Sequence, residues 1–341
     1  MKLAKLFIAL AVAAATVAAN GQTVTIRVHH ATPSTSIYQT ELIQGWCDKI
    51  AAQSSNRMKC EIYPSMQLGG TAAQLFDQVR DGVVDATWTN PGFKPGSFTK
   101  TEVFELPFMV KGAEGGSRAL WDYIQAHAMD EYRGVKLIWV AITDPQLLHF
   151  SSKNVRTLEE AANLKVRAPS RYAAKGLAAL GMATVQLPSM AITESLSKGV
   201  IDGTMMTWSG VPMLKLDEVT KFHLDVPEGQ TGFFASATVF AMNPAKYDSL
   251  PADLKRVIDA NTGSDASAVG GRFFAEKVAA YSPLGTAGGG RNVRLTRDEY
   301  TRWVKATDSV EAEWVKEVSA KGADGKKMLD DAKALVNKYV R

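Results

Sequence analysis

Strand and helix signals alternate along the first part of this chain, and that alternation limits its fold more than any other feature. Thr23 to His29 alternates as a strand. Glu41 to Ala52 follows with helical spacing of Leu42, Trp46 and Ile50. Met58 to Tyr63 is a second strand, ended by Pro64. Ala72 to Arg80 reads as a helix stopped by Gly82, and Val83 to Trp88 as a third strand. Strand, helix, strand in this order argues for parallel sheets with crossover helices.

The pattern recurs. Arg80-Asp81-Gly82-Val83-Val84-Asp85 resembles Ser197-Lys198-Gly199-Val200-Ile201-Asp202. Each follows a helical stretch, and each glycine suits a left-handed helix end. Each then enters an apolar strand. Trp88-Thr89 follows the first copy and Thr207-Trp208 the second. Two lobes built alike would carry one copy each. Ligands of open α/β sheets sit beyond the carboxyl ends of strands, so both aromatic-plus-threonine segments point at one cleft. Trp88 and Trp208 are expected on its opposite walls.

A chain of 341 residues exceeds one comfortable core, which also favours two lobes. Residues 1–19 read as a removable leader: Lys2 and Lys5 precede a short apolar run, and Val17-Ala18-Ala19 offers small residues for cleavage. Removing that leader lowers the formal charge from +4 to +2, which gives no case for nucleic acid or membrane-surface binding. Export permits a disulfide between Cys47 and Cys60, the two cysteines; the alternative is two small buried hydrophobes.

The later chain changes character. Gly232 to Met242 reads as a long strand, and Leu254 to Ala260 starts a helix. Trp303, Ala306, Val310, Trp314 and Val318 share one helical face. The C-terminal third is expected to brace the lobes.

Catalytic motifs are incomplete. Ser195-Leu196-Ser197-Lys198 fits S-x-x-K, but neither S-D-N nor K-T-G occurs. His29 and His30 point to opposite faces of a strand and cannot easily share a metal, although His30 can face a cleft from the strand end. Gly288-Gly289-Gly290 lacks the spacing of a dinucleotide loop. Neither a cofactor nor a metal is expected. The informative stretch is Leu164-Lys165-Val166-Arg167-Ala168-Pro169-Ser170. Arg167 sits at the carboxyl end of a short strand, Pro169 stops the ladder and Ser170 can cap a helix. An arginine there can offer its planar fork to a carboxylate; the alternative is a surface pair with a neighbouring acid.

With these stretches in view, the chain resembles the solute-binding subunits of TRAP transporters, of the DctP type. Carrying the resemblance in order are Ile62-Tyr63-Pro64 with Gln67-Leu68-Gly69-Gly70, then Asp81-Gly82-Val83-Val84-Asp85 and Glu105-Leu106-Pro107-Phe108. Leu164 to Pro169, Gly199 to Gly203 and Met242-Asn243 follow. The resemblance implies a periplasmic-binding-protein-like α/β fold, two lobes with hinge strands and a long bracing helix. Lobe I would take residues 23–147 and about 235–275; lobe II would take 148–234, about 276–341 and the C-terminal helices. It implies a periplasmic protein that holds a small carboxylate between the lobes, with Arg167 as clamp, and delivers it to a two-part TRAP permease without ATP. The ligand site is expected to include Arg167, Trp88, Thr89, Asn90, Met206, Thr207, Trp208, Leu147 and His30. Arg167 is expected to face solvent when the cleft is open and empty. A homodimer is left open.

Two departures bear on the ligand. Met206 stands where many relatives place an asparagine that holds ligand, and Leu147 where some carry a second arginine. Both remove polar contacts and favour an aromatic or branched 2-oxo or 2-hydroxy acid over a sugar acid; the alternative is that the methionine packs inward. Two other classes compete: a binding protein for an ATP-driven importer or a sensor, and an exported hydrolase, for which no activated nucleophile is present.

Overall fold

The computed structural model describes residues 23–339, so the expected leader at residues 1–19 lies outside the described residues. The alternation resolves into two sheets. The first holds β1 (Val24–His29), β2 (Met58–Tyr63), β3 (Ala86–Thr89), β4 (Lys136–Ile142) and β10 (Ala237–Met242), in the order β2-β1-β3-β10-β4. The second holds β5 (Leu147–Phe150), β6 (Lys165–Ala168), β7 (Ala183–Gln186), β8 (Gly203–Met206), β9 (Phe222–Asp225) and β11 (Arg291–Arg294), in the order β11-β9-β5-β8-β6-β7. The result is two α/β lobes.

The repeated sequence maps onto a repeated topology. β1 pairs parallel with β2 and β3, and β3 then meets β10 antiparallel. In the same way β6 pairs parallel with β7 and β8, and β8 meets β5 antiparallel. The two copies precede the equivalent strands β3 and β8. Gly82 has φ +78° and Gly199 φ +66°. Past each glycine the chain closes the helix: Val83 N–H donates to Gln78 O at 2.9 Å, and Val200 N–H to Ser195 O at 2.9 Å, the long-range bond of a Schellman end. The aspartates also match. Asp85 accepts from Arg27 N–H at 2.8 Å, and Asp202 from Lys165 N–H at 2.8 Å, each tying the strand entry to its neighbour.

Those helix ends explain one displaced boundary. Val83 to Asp85, expected in the third strand, belong to the turn, and β3 starts at Ala86. A second displacement lies at Gly232 to Ser236. These residues form a crossover between lobes, and only Ala237 onward is strand. A side chain at Gly232 would meet Pro145 at 2.4 Å, so the two crossovers press together there. They also bond to each other: Thr143 N–H donates to Ser236 O at 3.0 Å and Gln146 N–H to Phe234 O at 2.8 Å.

The helix Ser264–Tyr281 is the long brace. Phe274 packs in the first lobe with Trp46 and Phe240, while Val278 and Tyr281 reach the apolar cluster of Leu147 and Trp208. The helical face from Trp303 to Val318 is broken at Thr307 into helices Arg297–Ala306 and Asp308–Ala320. Trp303 lies in the second lobe's core, but Val310, Trp314 and Val318 lie in the first. Helix Gly325–Tyr339 follows them there through Leu329 and Val336. The last two helices therefore share the first lobe's core, and Asp308–Ala320 also meets the second lobe, where Arg171 and Tyr172 bond its Glu317. Trp314 fixes this placement, because its indole N–H donates to Thr99 O at 2.8 Å. Cys47 and Cys60 are joined as a disulfide, with Cα atoms 5.7 Å apart.

Candidate ligand-binding site

β6 ends at Ala168, Pro169 leaves the ladder, and Ser170 caps the next helix by accepting from Ala173 N–H. This turn delivers Arg167 to the gap between the lobes. With the lobes in contact its side chain is buried, and the residue is only 3% exposed. Nε donates to Leu187 O at 3.2 Å, Nη1 to Met205 O at 3.3 Å and Nη2 to Ser189 Oγ at 3.3 Å. Three of the five N–H groups are thus committed, which leaves one on each terminal nitrogen. Those two N–H groups are available to the two oxygens of a carboxylate. Among the described residues no acid lies within 4.0 Å of Arg167. Burial lowers its pKa to about 10, which still leaves it charged at neutral pH. A buried cation with no counter-ion is costly, and a bound anion offsets that cost.

In front of the fork lies a cavity of about 580 Å³ between the lobes, within the range of small-molecule sites. Arg167, Trp88, Thr89, Asn90, Met206 and Thr207 all line it. Tyr38 and Phe274 add aromatic wall, and Tyr38 stacks on Trp88 with centroids 5.2 Å apart. Met206 and Met213 supply a flexible apolar floor. Asn90 Oδ1 accepts from Gly92 N–H at 2.7 Å, which orients the amide.

Three expected residues do not line the cavity. Trp208 is buried behind β8, edge-on to His149 at 5.3 Å between centroids. Leu147 pairs with Met206 across the sheet and packs beneath it. His30 is fully buried in the turn after β1. Its Nδ1 accepts from Thr32 N–H at 3.2 Å, so the ring proton is on Nε2, which faces Gln39 Oε1 at 3.0 Å. Burial lowers the His30 pKa to about 4, so the ring is neutral.

The structure adds residues that the sequence did not single out. Asp144 is fully buried in the first crossover and accepts from Ser209 Oγ at 2.8 Å. Ser209 Oγ also lies 3.1 Å from Tyr38 Oη and 2.9 Å from Thr207 Oγ1. One hydroxyl network thus joins both lobes at the floor of the cavity. Burial raises the Asp144 pKa to about 7. His149 backs the same floor: its Nε2 donates to Met206 O at 3.1 Å, and its Nδ1 lies 2.8 Å from His223 Nδ1. Arg171 also borders the cavity, but its guanidinium is taken by Glu102 and Glu317. Neither Asp144 nor Arg171 carries a local sequence signal, because what marks each of them is contact across the lobes.

A family model for bacterial extracellular solute-binding proteins, family 7 (DctP), matches residues 28–317. The chain belongs to this family. Among solved structures, this DctP-family protein is similar to a TRAP solute-binding protein from Rhodoferax ferrireducens T118, determined with copurified benzoate. The two are 37% identical with a TM-score of 0.90, over 93% of this chain and 98% of that one. A marine-metagenome TRAP solute-binding protein specific for aromatic acids, determined with 3-hydroxybenzoate, is 36% identical, with a TM-score of 0.91 over 94% and 100% of the chains. The outer membrane transporter protein TsaT of Comamonas testosteroni is 23% identical over 301 residues, 85% of each chain. The protein is therefore a TRAP-type solute-binding protein, a receptor by family.

Proposed function

We propose that this DctP-family protein captures one small aromatic monocarboxylate between its lobes and hands it to a TRAP permease without chemical change. The observation that carries the proposal is Arg167: a buried guanidinium with two N–H groups uncommitted and no acid beside it, set in a mostly apolar cavity. A carboxylate meets the fork, and an aromatic ring fills the space between Trp88, Tyr38 and Met206. Thr89, Asn90 and Thr207 are the polar contacts from either side. Trp208, Leu147 and His30 support the wall from behind. Export with loss of residues 1–19 would place the protein in the periplasm. The benzoate and 3-hydroxybenzoate held by the two similar structures support the aromatic class.

Sugar acids suit the cavity poorly. Each hydroxyl left without a partner against Met206 or Leu187 costs about 1–3 kcal/mol. A thermal-shift screen of benzoate, 3-hydroxybenzoate, mandelate, branched 2-oxo acids and glucuronate tests the reading. Benzoate-like acids should give the largest rise in melting temperature, and mass spectrometry should recover them unaltered. A larger shift with glucuronate, or accumulation of altered acid, contradicts it.

A further inference from the structure

Four residues after the clamp, on the same turn, stands a second arginine that cannot hold ligand. Arg171 opens the helix Arg171–Ala179 of the second lobe. Its Nε donates to Glu102 Oε1 at 2.7 Å, and its Nη2 bonds the other Glu102 oxygen. Nη1 and Nη2 donate to Glu317 at 2.8 and 3.0 Å. Glu102 belongs to the turn Thr101–Glu105 of the first lobe and is only 4% exposed. Glu317 belongs to the C-terminal helix Asp308–Ala320, also packed on the first lobe, and accepts from Tyr172 Oη at 3.0 Å. Beside them the lobes touch: a side chain at Gly92 would meet Ser170 Cβ at 3.2 Å.

We propose that Arg171, Glu102 and Glu317 are positioning residues for the clamp, forming an inter-lobe clasp that sets how long the ligand is held. Arg167 and Arg171 are separated by Ala168, Pro169 and Ser170, and the fixed φ of proline makes that turn stiff. The clamp is therefore anchored on one side by its own three hydrogen bonds and on the other by the clasp. Separating the lobes far enough to release ligand pulls Arg171 away from two carboxylates, one of them buried. Lys321 Nζ also lies 3.5 Å from Glu317 Oε1, so two cations meet two carboxylates here, and removing any one of them changes the charge close to the anion site. This gives two separable effects. Loss of the clasp shortens residence whatever the sign of the charge removed. The field at the cleft mouth changes association according to sign.

The inference rests on the carboxylate reading of Arg167, and the test separates the two. Stopped-flow binding of benzoate is followed for the parent, Glu102→Gln, Arg171→Met and the milder Glu317→Gln. Both Glu102→Gln and Arg171→Met should speed dissociation at least about tenfold, the usual direction for a broken buried pair. Association should quicken in Glu102→Gln and slow in Arg171→Met. Glu317→Gln, on the more exposed acid, should show a smaller rise in dissociation and remains informative if Arg171→Met does not fold. Unchanged dissociation rates overturn the proposal; so do rates that move in opposite directions, which would mark a pure field effect. If benzoate does not bind the parent, the carboxylate reading fails on its own. Small-angle scattering without ligand then decides the clasp: Glu102→Gln should be more open than the parent, and identical curves overturn it.

Discussion

At Arg167 three backbone and hydroxyl acceptors orient a buried cation without neutralising it, and the proposed carboxylate clamp rests on that incompleteness. Truncating one partner of a buried charge pair costs roughly 2–5 kcal/mol. Arg167→Ala should thus lose roughly 30- to several-thousand-fold in affinity for benzoate by calorimetry. Arg167→Lys should bind weakly, because a point charge cannot replace the fork. Circular dichroism should find both folded. The place of Arg167 at a strand end was legible from the proline and capping serine beside it, whereas its role as a clamp came from the resemblance to the DctP type. Trp208 was misplaced for a related reason: the sequence put an aromatic at the end of β8 but did not say which side of the sheet it would take. Asp144 was not legible at all, since its role depends on Ser209 from the other lobe. Its raised pKa has a stability consequence. Between the ordinary carboxyl value near 4 and about 7 the folded protein holds a proton that the unfolded chain releases, so this group's contribution falls as pH rises through that window. Compared with Asp144→Asn, the parent should lose stability between pH 4 and 7, by up to about 1.4 kcal/mol per pH unit for one proton. Denaturant midpoints of both proteins across that range check it, and parallel profiles would contradict it.

The β6–helix unit carries the proposed clamp. Its helix packs so closely on the second crossover that a side chain at Gly176 would meet the Phe234 ring at 2.2 Å and Pro107 at 3.0 Å. Alanine is the better helix former by about 1 kcal/mol, but overpacking costs about 1–3 kcal/mol. Phe234 is buried and has little room to yield. Gly176→Ala should lower the melting temperature in spite of its propensity; an unchanged or higher value would show that the crossover relaxes freely. Elements of this kind mark the limit of reading periodicity. Strand and helix types are legible from hydrophobic spacing, whereas Val83 to Asp85 and Gly232 to Ser236 mimic strand because apolar residues serve helix ends and crossovers equally well. The break at Thr307 was hidden because the apolar stripe runs on at helical spacing while its residues enter two different cores.

For the whole molecule, the repeated sequence before β3 and β8 announced two lobes of like topology, and the equivalent hydrogen bonds of Asp85 and Asp202 show why those residue types recur. Membership of the DctP family gives that architecture its role in solute binding. The cavity and the hydroxyl network at its floor belong to both lobes together, so neither could be read from either half of the chain. The most direct test of this account is a crystal structure of the protein with benzoate. The account predicts both carboxylate oxygens at about 2.7–2.9 Å from Arg167 Nη1 and Nη2, with the ring between Trp88, Tyr38 and Met206. A carboxylate bound elsewhere in the cleft, with the Arg167 fork left without an anion, would contradict it.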